Sequence, residues 1–176
     1  MKCPFIFDEE KAIEVILYIT NKVKRERASF HTLSKVMYFA DRIHLENYGR
    51  FICGDNYVAM KHGPVPSQTY DILKSVRGDG FASLAEPAKK AFSVEKNSVI
   101  RPFREADLDF LSDSDLECLD EAIRQYGSLS FKELTNRSHD AAWHSANEND
   151  LIEIEQIIAT FPNPQSLLEH LKDPYP

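Results

Sequence analysis

The feature that most constrains this chain is the segment of residues 35–66, in which an aromatic-rich helical pattern is followed by a sharp turn motif. Apolar residues recur at helical spacing from Leu33 onwards, and Gly49 stands where a left-handed residue is expected to end the helix. Further on, residues 56–61 are typical of a short strand, and Gly63 lies directly before a proline. A glycine in that place can hold a positive φ angle, so the segment predicts a long helix, a strand and a fixed corner.

Helix start and stop signals divide the rest of the chain into short elements. Residues able to cap a helix precede apolar stripes at several places: Asp8, Ser29, Ser112, Ser130, Asp140 and Asn163. Acidic residues three positions after Ser112 and Ser130 complete two capping-box patterns. Residues 92–94 and 99–103 flank a turn and predict a β-hairpin, whereas residues 78–90 are expected to form a flexible loop.

Two further helices are expected between these elements. Pro66 suits the first turn of a helix that ends at Gly78, and residues 151–160 have the apolar spacing of another. Together these signals predict a mainly α fold with a small antiparallel β-sheet (α+β) and roughly six to eight helices. Because 176 residues can bury one good core, we expect a single domain over residues 1–176.

The composition argues against some classes of protein. The formal net charge of −7 disfavours a general nucleic-acid binder, which needs a basic face. The three cysteines are widely spaced and form no CxxC pair, so neither a zinc site nor a disulfide framework is indicated. The first residues lack the pattern of a signal peptide, and no run of about 20 apolar residues would span a membrane. We therefore expect a cytoplasmic protein with reduced thiols and no membrane partner.

Residues with catalytic or metal-binding chemistry form no specific motif. His139 and His144 are five positions apart, whereas metal-binding pairs on a helix are usually four apart. Cys53 and His62 could act as a nucleophile and its base, but a half-buried structural thiol is the simpler interpretation. No metal, cofactor or catalytic residue is therefore predicted. A small hydrolase or transferase that uses the histidines with Cys53 stays as an alternative function.

A DNA-binding regulator is the other alternative. Lys35 and Arg42 lie on the predicted second helix and could mimic a recognition helix. Asp41 and Glu46 lie on the same helix and would repel phosphate, so nucleic acid is not an expected partner.

Aromatic residues near the corner have two interpretations. Most of them are expected in the core, and any that are exposed would suit the anchor residues of a protein interface. They are Tyr38, Phe39, Tyr48, Phe51, Tyr57 and Tyr70. The only tryptophan, Trp143, is expected mainly in the core.

Taken in order, these motifs resemble the SocA-like antitoxin family, also called the Panacea domain, which has phage-associated relatives. The resemblance lies in LSKVMYFA at residues 33–40, HLENYGR at residues 44–50 and AMKHGPV at residues 59–65. It continues in Ser138-His139 and in Ala142-Trp143, where the family often has a proline at the position of Ala142. In all, the resemblance covers about residues 8–160.

The resemblance implies a mainly helical, non-enzymatic domain that neutralises a cognate toxin by direct binding. Some members of the family are thought to deliver the toxin to a protease system as adaptors. Many carry an added DNA-binding segment, for which this chain shows no room, so transcriptional control is not expected. A homo-oligomer is compatible with the same interpretation.

The candidate binding residues lie around the corner and beneath it. Tyr48, Lys61 and His62 are expected on the surface, and Gly63 and Pro64 are expected to shape the corner. Two more residues are expected to support it from below: His139 and Trp143.

Overall fold

The computed structural model describes residues 3–80 and 85–173. This part of the chain contains nine α-helices and two antiparallel β-hairpins, which confirms the predicted mainly helical α+β fold. The helices are α1 (Glu9–Lys22), α2 (Phe30–Tyr48), α3 (Ser67–Arg77), α4 (Ala85–Ala91), α5 (Asp113–Tyr126), α6 (Phe131–Ser138), α7 (Ala141–His144), α8 (Ile154–Ile158) and α9 (Pro164–Lys172). The strands are β1 (Tyr57–Met60), β2 (Gly63–Pro66), β3 (Phe92–Glu95) and β4 (Val99–Pro102). No helix in these ranges is both long and apolar enough to cross a bilayer.

Helix α2 lies at the centre of the fold. Helix α5 packs along it most extensively, and β2, α6 and α1 also contact it. Ser29 caps its first turn by accepting a hydrogen bond from the amide of Thr32, and Gly49 ends it at a φ of +76°, as predicted. Each fully buried aliphatic side chain on this helix, such as Leu33, contributes about 1.5–3 kcal/mol.

Most of the other predicted caps are confirmed. Asp8 and Asp140 accept backbone hydrogen bonds at the starts of α1 and α7, and the capping boxes at Ser112 and Ser130 are complete. Asn163 makes no side-chain cap bond, although α9 begins at the proline that follows it.

The first hairpin departs from the prediction, because only its first strand was expected. Strand β1 pairs with β2 in antiparallel register, with Tyr57 opposite Pro66 and Met60 opposite Gly63. Two of the four residues of β2 are prolines, which lack an amide donor and are rare in strands, so the sequence pattern does not predict it. Pro66 lies just before α3 in extended conformation and not in its first turn.

Three other predictions need correction. The second hairpin is confirmed at β3 and β4, but it forms a sheet of its own, so the single predicted sheet is two. Within the predicted loop, Ala85–Ala91 forms α4, with a proline tolerated in its first turn, while residues 81–84 lie outside the described residues. The helix predicted at residues 151–160 is shorter, because Leu151 bridges to Val58 and α8 begins only at Ile154.

Candidate functional site

The turn between β1 and β2 forms an exposed corner with Lys61 and His62 at its tip. Gly63 follows with a φ of +114°, as the Gly-Pro pattern predicts. A Cβ atom at this position would collide with the hydroxyl of Ser138 and would lie 2.7 Å from Cε of Lys35. Glycine is therefore required by the backbone angle and also by the close approach of two helices.

The side chain of Lys35 lies beneath the corner and is only 1% exposed. Its Nζ donates a hydrogen bond to the carbonyl oxygen of Pro64 at 2.9 Å. Burial lowers the pKa of this amine from 10.5 to about 7, and no carboxylate contributes to the shift. The DNA-binding alternative requires Lys35 on the helix surface, whereas the structure makes it a buried support of the first hairpin.

Trp143 and His139 pack beside the corner, on a different side from Lys35. Trp143 is half-buried rather than fully in the core, and its Nε1 donates to the carbonyl oxygen of Met60 at 2.9 Å. The His139 ring stacks on the indole with centroids 3.7 Å apart. Burial lowers the pKa of His139, and the nearby charges of His144 and Lys35 act in the same direction. A neutral imidazole suits this stacked position.

An exposed phenylalanine extends the corner into a larger surface. Phe131, the first residue of α6, is 54% exposed, although a phenylalanine three residues before Leu134 reads as part of a core stripe. Its ring stacks on His31 with centroids 3.9 Å apart and meets His62 edge-on at 5.1 Å. Burial, followed by the charge of Lys35, lowers the pKa of His31 to about 4, so this ring is neutral near pH 7.

Between these groups lies a groove of about 370 Å³, which we call the hairpin groove. Its ionisable or charged lining residues are His31, Lys35, Lys61, His62 and Arg77. Its apolar and aromatic walls include Phe30, Met60, Val65, Tyr70 and Phe131. Neither His31 nor Phe131 was predicted as a site residue. The signal in the sequence for burial of Lys35 is the position of this lysine within an apolar stripe.

Tyr48 belongs to a different part of the surface. It is exposed, as predicted, but its hydroxyl donates to Glu117 on α5 at 2.6 Å, and its ring lies 5.0 Å from that of His44. Tyr48 is the last residue of α2 and Lys35 lies in the second turn, so about 20 Å of helix separates them. Tyr48 is thus not among the residues that line the hairpin groove.

The residues of the enzyme alternative do not form a nucleophilic pair. Cys53 is fully buried rather than half-buried, and desolvation raises its pKa well above the usual 9.0, so the thiolate is strongly disfavoured. His62 is exposed at the tip of the corner and contacts Phe131. Within residues 3–80 and 85–173, no three His, Cys, Asp or Glu side chains are grouped to hold a metal ion.

A serine–histidine contact occurs elsewhere and has a structural role. His44 has Nδ1 2.9 Å from the carbonyl oxygen of Arg50 and Nε2 2.9 Å from Oγ of Ser114. The His44 side chain is completely buried, so Nε2 faces the first turn of α5 and not a substrate. Nearby, Asp115 is paired with Lys11 and Arg50, and these contacts join the start of α5 to α1 and to the end of α2.

The residues of the DNA-binding alternative are also occupied. Lys35 is buried, and Arg42 pairs with Asp140 at 3.3 Å while donating to Thr160 at 2.8 Å. Neither side chain is free to contact phosphate as a recognition helix would require.

Comparison with known proteins identifies the family. A family model described as antitoxin SocA-like, Panacea domain, matches residues 33–144, which is more than half of the chain. The match is narrower than the expected residues 8–160, but it includes α2 from Leu33 onwards, the first hairpin, Phe131 and Trp143. No curated protein and no solved structure matches the chain. The chain therefore belongs to the SocA-like antitoxin family, as a protein with a Panacea domain.

Proposed function

We propose that this protein neutralises a cognate toxin by binding it directly, with the exposed corner and the hairpin groove as the contact surface. The observation that carries the proposal is the combination of an exposed aromatic side chain, Phe131, with a corner that is fixed from several sides. Aromatic anchors in fixed surroundings are typical of the residues that dominate binding energy at protein interfaces.

The corner is fixed before any partner arrives. The carbonyl oxygens of Met60 and Pro64, on either side of the turn, accept hydrogen bonds from Trp143 and Lys35. Gly63 fits closely against two helices, which limits movement of the turn. A surface that is already ordered loses less conformational entropy on binding, so more of the contact energy contributes to affinity. A standard interface of about 800 Å² on each partner would extend beyond the groove to its exposed rim.

The role is proposed to be non-enzymatic. Membership of an antitoxin family favours binding over catalysis, and neutralisation by occlusion needs no reaction centre. The buried, high-pKa thiol of Cys53 supports this proposal, because it is poorly placed to attack a substrate. We place the binding in the cytoplasm, where the free thiols at Cys3, Cys53 and Cys118 would stay reduced.

Coexpression with the product of the adjacent gene tests the proposal. The wild-type protein is expected to restore growth that this product inhibits, and the two proteins should copurify. Phe131→Ala is expected to weaken rescue, whereas Phe103→Ala, at another exposed phenylalanine (60% exposed), serves as the matched control and should not. Growth inhibition that coexpression leaves unchanged, with no copurification, contradicts the proposal.

Measuring the half-life of the toxin in the coexpressing cells distinguishes neutralisation by occlusion from delivery to a protease. If the protein acts as a proteolytic adaptor, the half-life of the toxin should shorten when the two are coexpressed and lengthen again in a protease-deficient host. If it acts by occlusion alone, the half-life should stay the same or increase while growth is restored.

A further inference from the structure

The hairpin groove has a local charge opposite to that of the whole protein. The chain carries a formal net charge of −7, yet among the residues that the structure describes no aspartate or glutamate lines the groove. Its charged lining residues are Lys35, Lys61 and Arg77, joined by the imidazoles of His31 and His62. A binding site with this lining favours an anionic group over a cationic one.

Two of these cations are free to interact with a partner. The guanidinium of Arg77 is already held by the carboxylate of Asp79, at 2.7 Å and 2.8 Å. Lys61 is exposed at the tip of the corner, and Lys35 forms no ion pair within the described ranges. The positive charge of the groove that no carboxylate compensates therefore lies on Lys61 and on the protonated form of Lys35.

The amine of Lys35 has unused hydrogen-bonding capacity. A lysine ammonium has three N–H donors, and the structure gives it one acceptor, the carbonyl oxygen of Pro64. A buried donor without an acceptor is unfavourable by about 1–3 kcal/mol, and more when the group is charged. An oxygen ligand that enters the groove would satisfy the remaining donors.

The walls of the groove show what else the ligand must carry. Phe30 meets Tyr70 edge-on at 6.1 Å, and Phe131 stacks on His31 on the α6 side. These aromatic surfaces favour an apolar side chain beside the anionic group. Since Lys35 is only 1% exposed, the anionic group must reach it on the tip of a flexible side chain.

From these observations we infer that the hairpin groove binds an acidic segment of the toxin, in which a glutamate or aspartate side chain reaches Lys35 and Lys61 while a neighbouring apolar side chain packs against Phe131. This inference rests on the proposed function, because it names the chemistry of the partner at the same surface. Charge complementarity supports it together with the free donors of Lys35 and the aromatic walls.

Peptides of known sequence test this chemistry on the full-length chain. The probes are acetyl-Gly-Phe-Glu-Glu-Gly-amide and two counterparts in which both glutamates are glutamine or lysine. Amide NMR signals of residues 61–63, of Val65 and of Phe131 are expected to shift with the acidic peptide. The glutamine peptide should bind about tenfold more weakly, and the lysine peptide should leave these signals unchanged.

Two variants show whether the lysines carry the effect. Lys61→Glu changes an exposed residue of the turn, so the variant is expected to keep the native NMR spectrum. Its affinity for the acidic peptide should fall by about tenfold or more. Lys35→Met should have the same effect on binding, and Lys172→Glu at the end of α9 should have none. Equal shifts with the acidic and lysine peptides, or an acidic peptide that leaves the groove signals unchanged, overturn the inference.

Two further arms separate this inference from other ligands and from the proposed function. The same signals are also followed with inorganic pyrophosphate and with a single-stranded DNA oligonucleotide. If either one shifts them at a lower concentration than the acidic peptide does, the inference is overturned in favour of a phosphate ligand. Suppose that, in the growth assay, the wild type restores growth and both variants, Lys61→Glu and Lys35→Met, restore it equally well. That result contradicts binding of an acidic segment but leaves the proposed function intact. Failure of the wild type to rescue, with intact binding of the acidic peptide, contradicts the proposed function alone.

Discussion

Replacing Lys35 by methionine is expected to change how the stability of the protein depends on pH. The unfolded chain keeps this amine protonated up to its ordinary pKa of 10.5, whereas burial lowers the pKa to about 7 in the folded protein. Between these two values the unfolded state binds more protons than the folded state. The penalty from Lys35 is therefore complete below pH 7 and is relieved as the pH rises towards 10.5.

The two pKa values give the size of the effect. At pH 7.5 the buried amine lowers the free energy of unfolding by roughly 4 kcal/mol, and at pH 8.5 by roughly 3 kcal/mol. The wild-type protein thus gains about 1 kcal/mol over this interval from Lys35 alone. Methionine is an unbranched side chain one heavy atom shorter than lysine and has no charge, but it leaves the Pro64 carbonyl without its donor, which costs about 1–3 kcal/mol. The variant should therefore be more stable than the wild type by about 1–3 kcal/mol at pH 7.5.

Urea denaturation of both proteins at pH 7.5, 8.0 and 8.5 measures this difference. The advantage of Lys35→Met is expected to shrink by about 1 kcal/mol across the interval. Other groups, such as the cysteines, titrate in both proteins and cancel in the comparison. Lys90→Met, at an exposed lysine of α4, is the control and should show a difference from wild type that is independent of pH. A constant difference for Lys35→Met as well would show that the amine keeps an ordinary pKa and would refute the reasoning.

Three other substitutions test the fixed corner and its anchor. Gly63→Ala should destabilise the protein by about 2 kcal/mol or more in thermal denaturation, because the added Cβ meets a positive φ and also a collision. Gly78→Ala is the control, because Gly78 has a φ of +109° but no atom within 4 Å of the added Cβ, and it should cost only about 1 kcal/mol. Trp143→Phe removes the indole hydrogen bond to the corner and should lower the free energy of unfolding by about 1–2 kcal/mol in urea. Phe131→Ala should weaken toxin binding by about 2 kcal/mol in titration calorimetry while stability changes by less than about 0.5 kcal/mol, and Phe103→Ala should leave binding unchanged.

Each of these substitutions has an outcome that contradicts its argument. Equal losses of stability at Gly63 and Gly78 would show that the contacts beneath the corner do not restrict it. An unchanged unfolding midpoint for Trp143→Phe would show that its hydrogen bond contributes little. A Phe131→Ala variant that binds as tightly as Phe103→Ala would remove the anchor from the proposed surface.

The elements that the sequence predicts correctly are those set by local chemistry. The caps at Asp8, Ser112 and Ser130 and the left-handed end of α2 at Gly49 each depend on one or two residues acting on adjacent backbone. The errors occur where distant contacts override local preference. Strand β2 forms despite its prolines because it pairs with β1 and packs on α2, and α8 is shortened by a bridge to the same hairpin.

The candidate site was predictable only in part, for the same reason. The motif at residues 61–65 indicates a corner, and the local Gly-Pro pattern predicts its backbone angle. Helical periodicity, however, gives no means of telling that Phe131 is exposed or that Lys35 is buried, because both follow from the packing of α6 and α2 against the first hairpin. Tyr48 shares the predicted long helix with Lys35, and only the length of that helix separates it from the groove.

In the proposed complex, the buried amine of Lys35 would also link stability to binding at this surface. A methionine would fill similar space without the charge, so the lysine makes the folded protein less stable than its packing requires. A carboxylate that enters the hairpin groove would raise the pKa of this amine and satisfy its free donors. Part of the free energy lost when the lysine was buried would then be recovered in the complex. A partner without a carboxylate would leave that energy unrecovered, and for this reason a buried, unpaired lysine gives the surface selectivity as well as affinity.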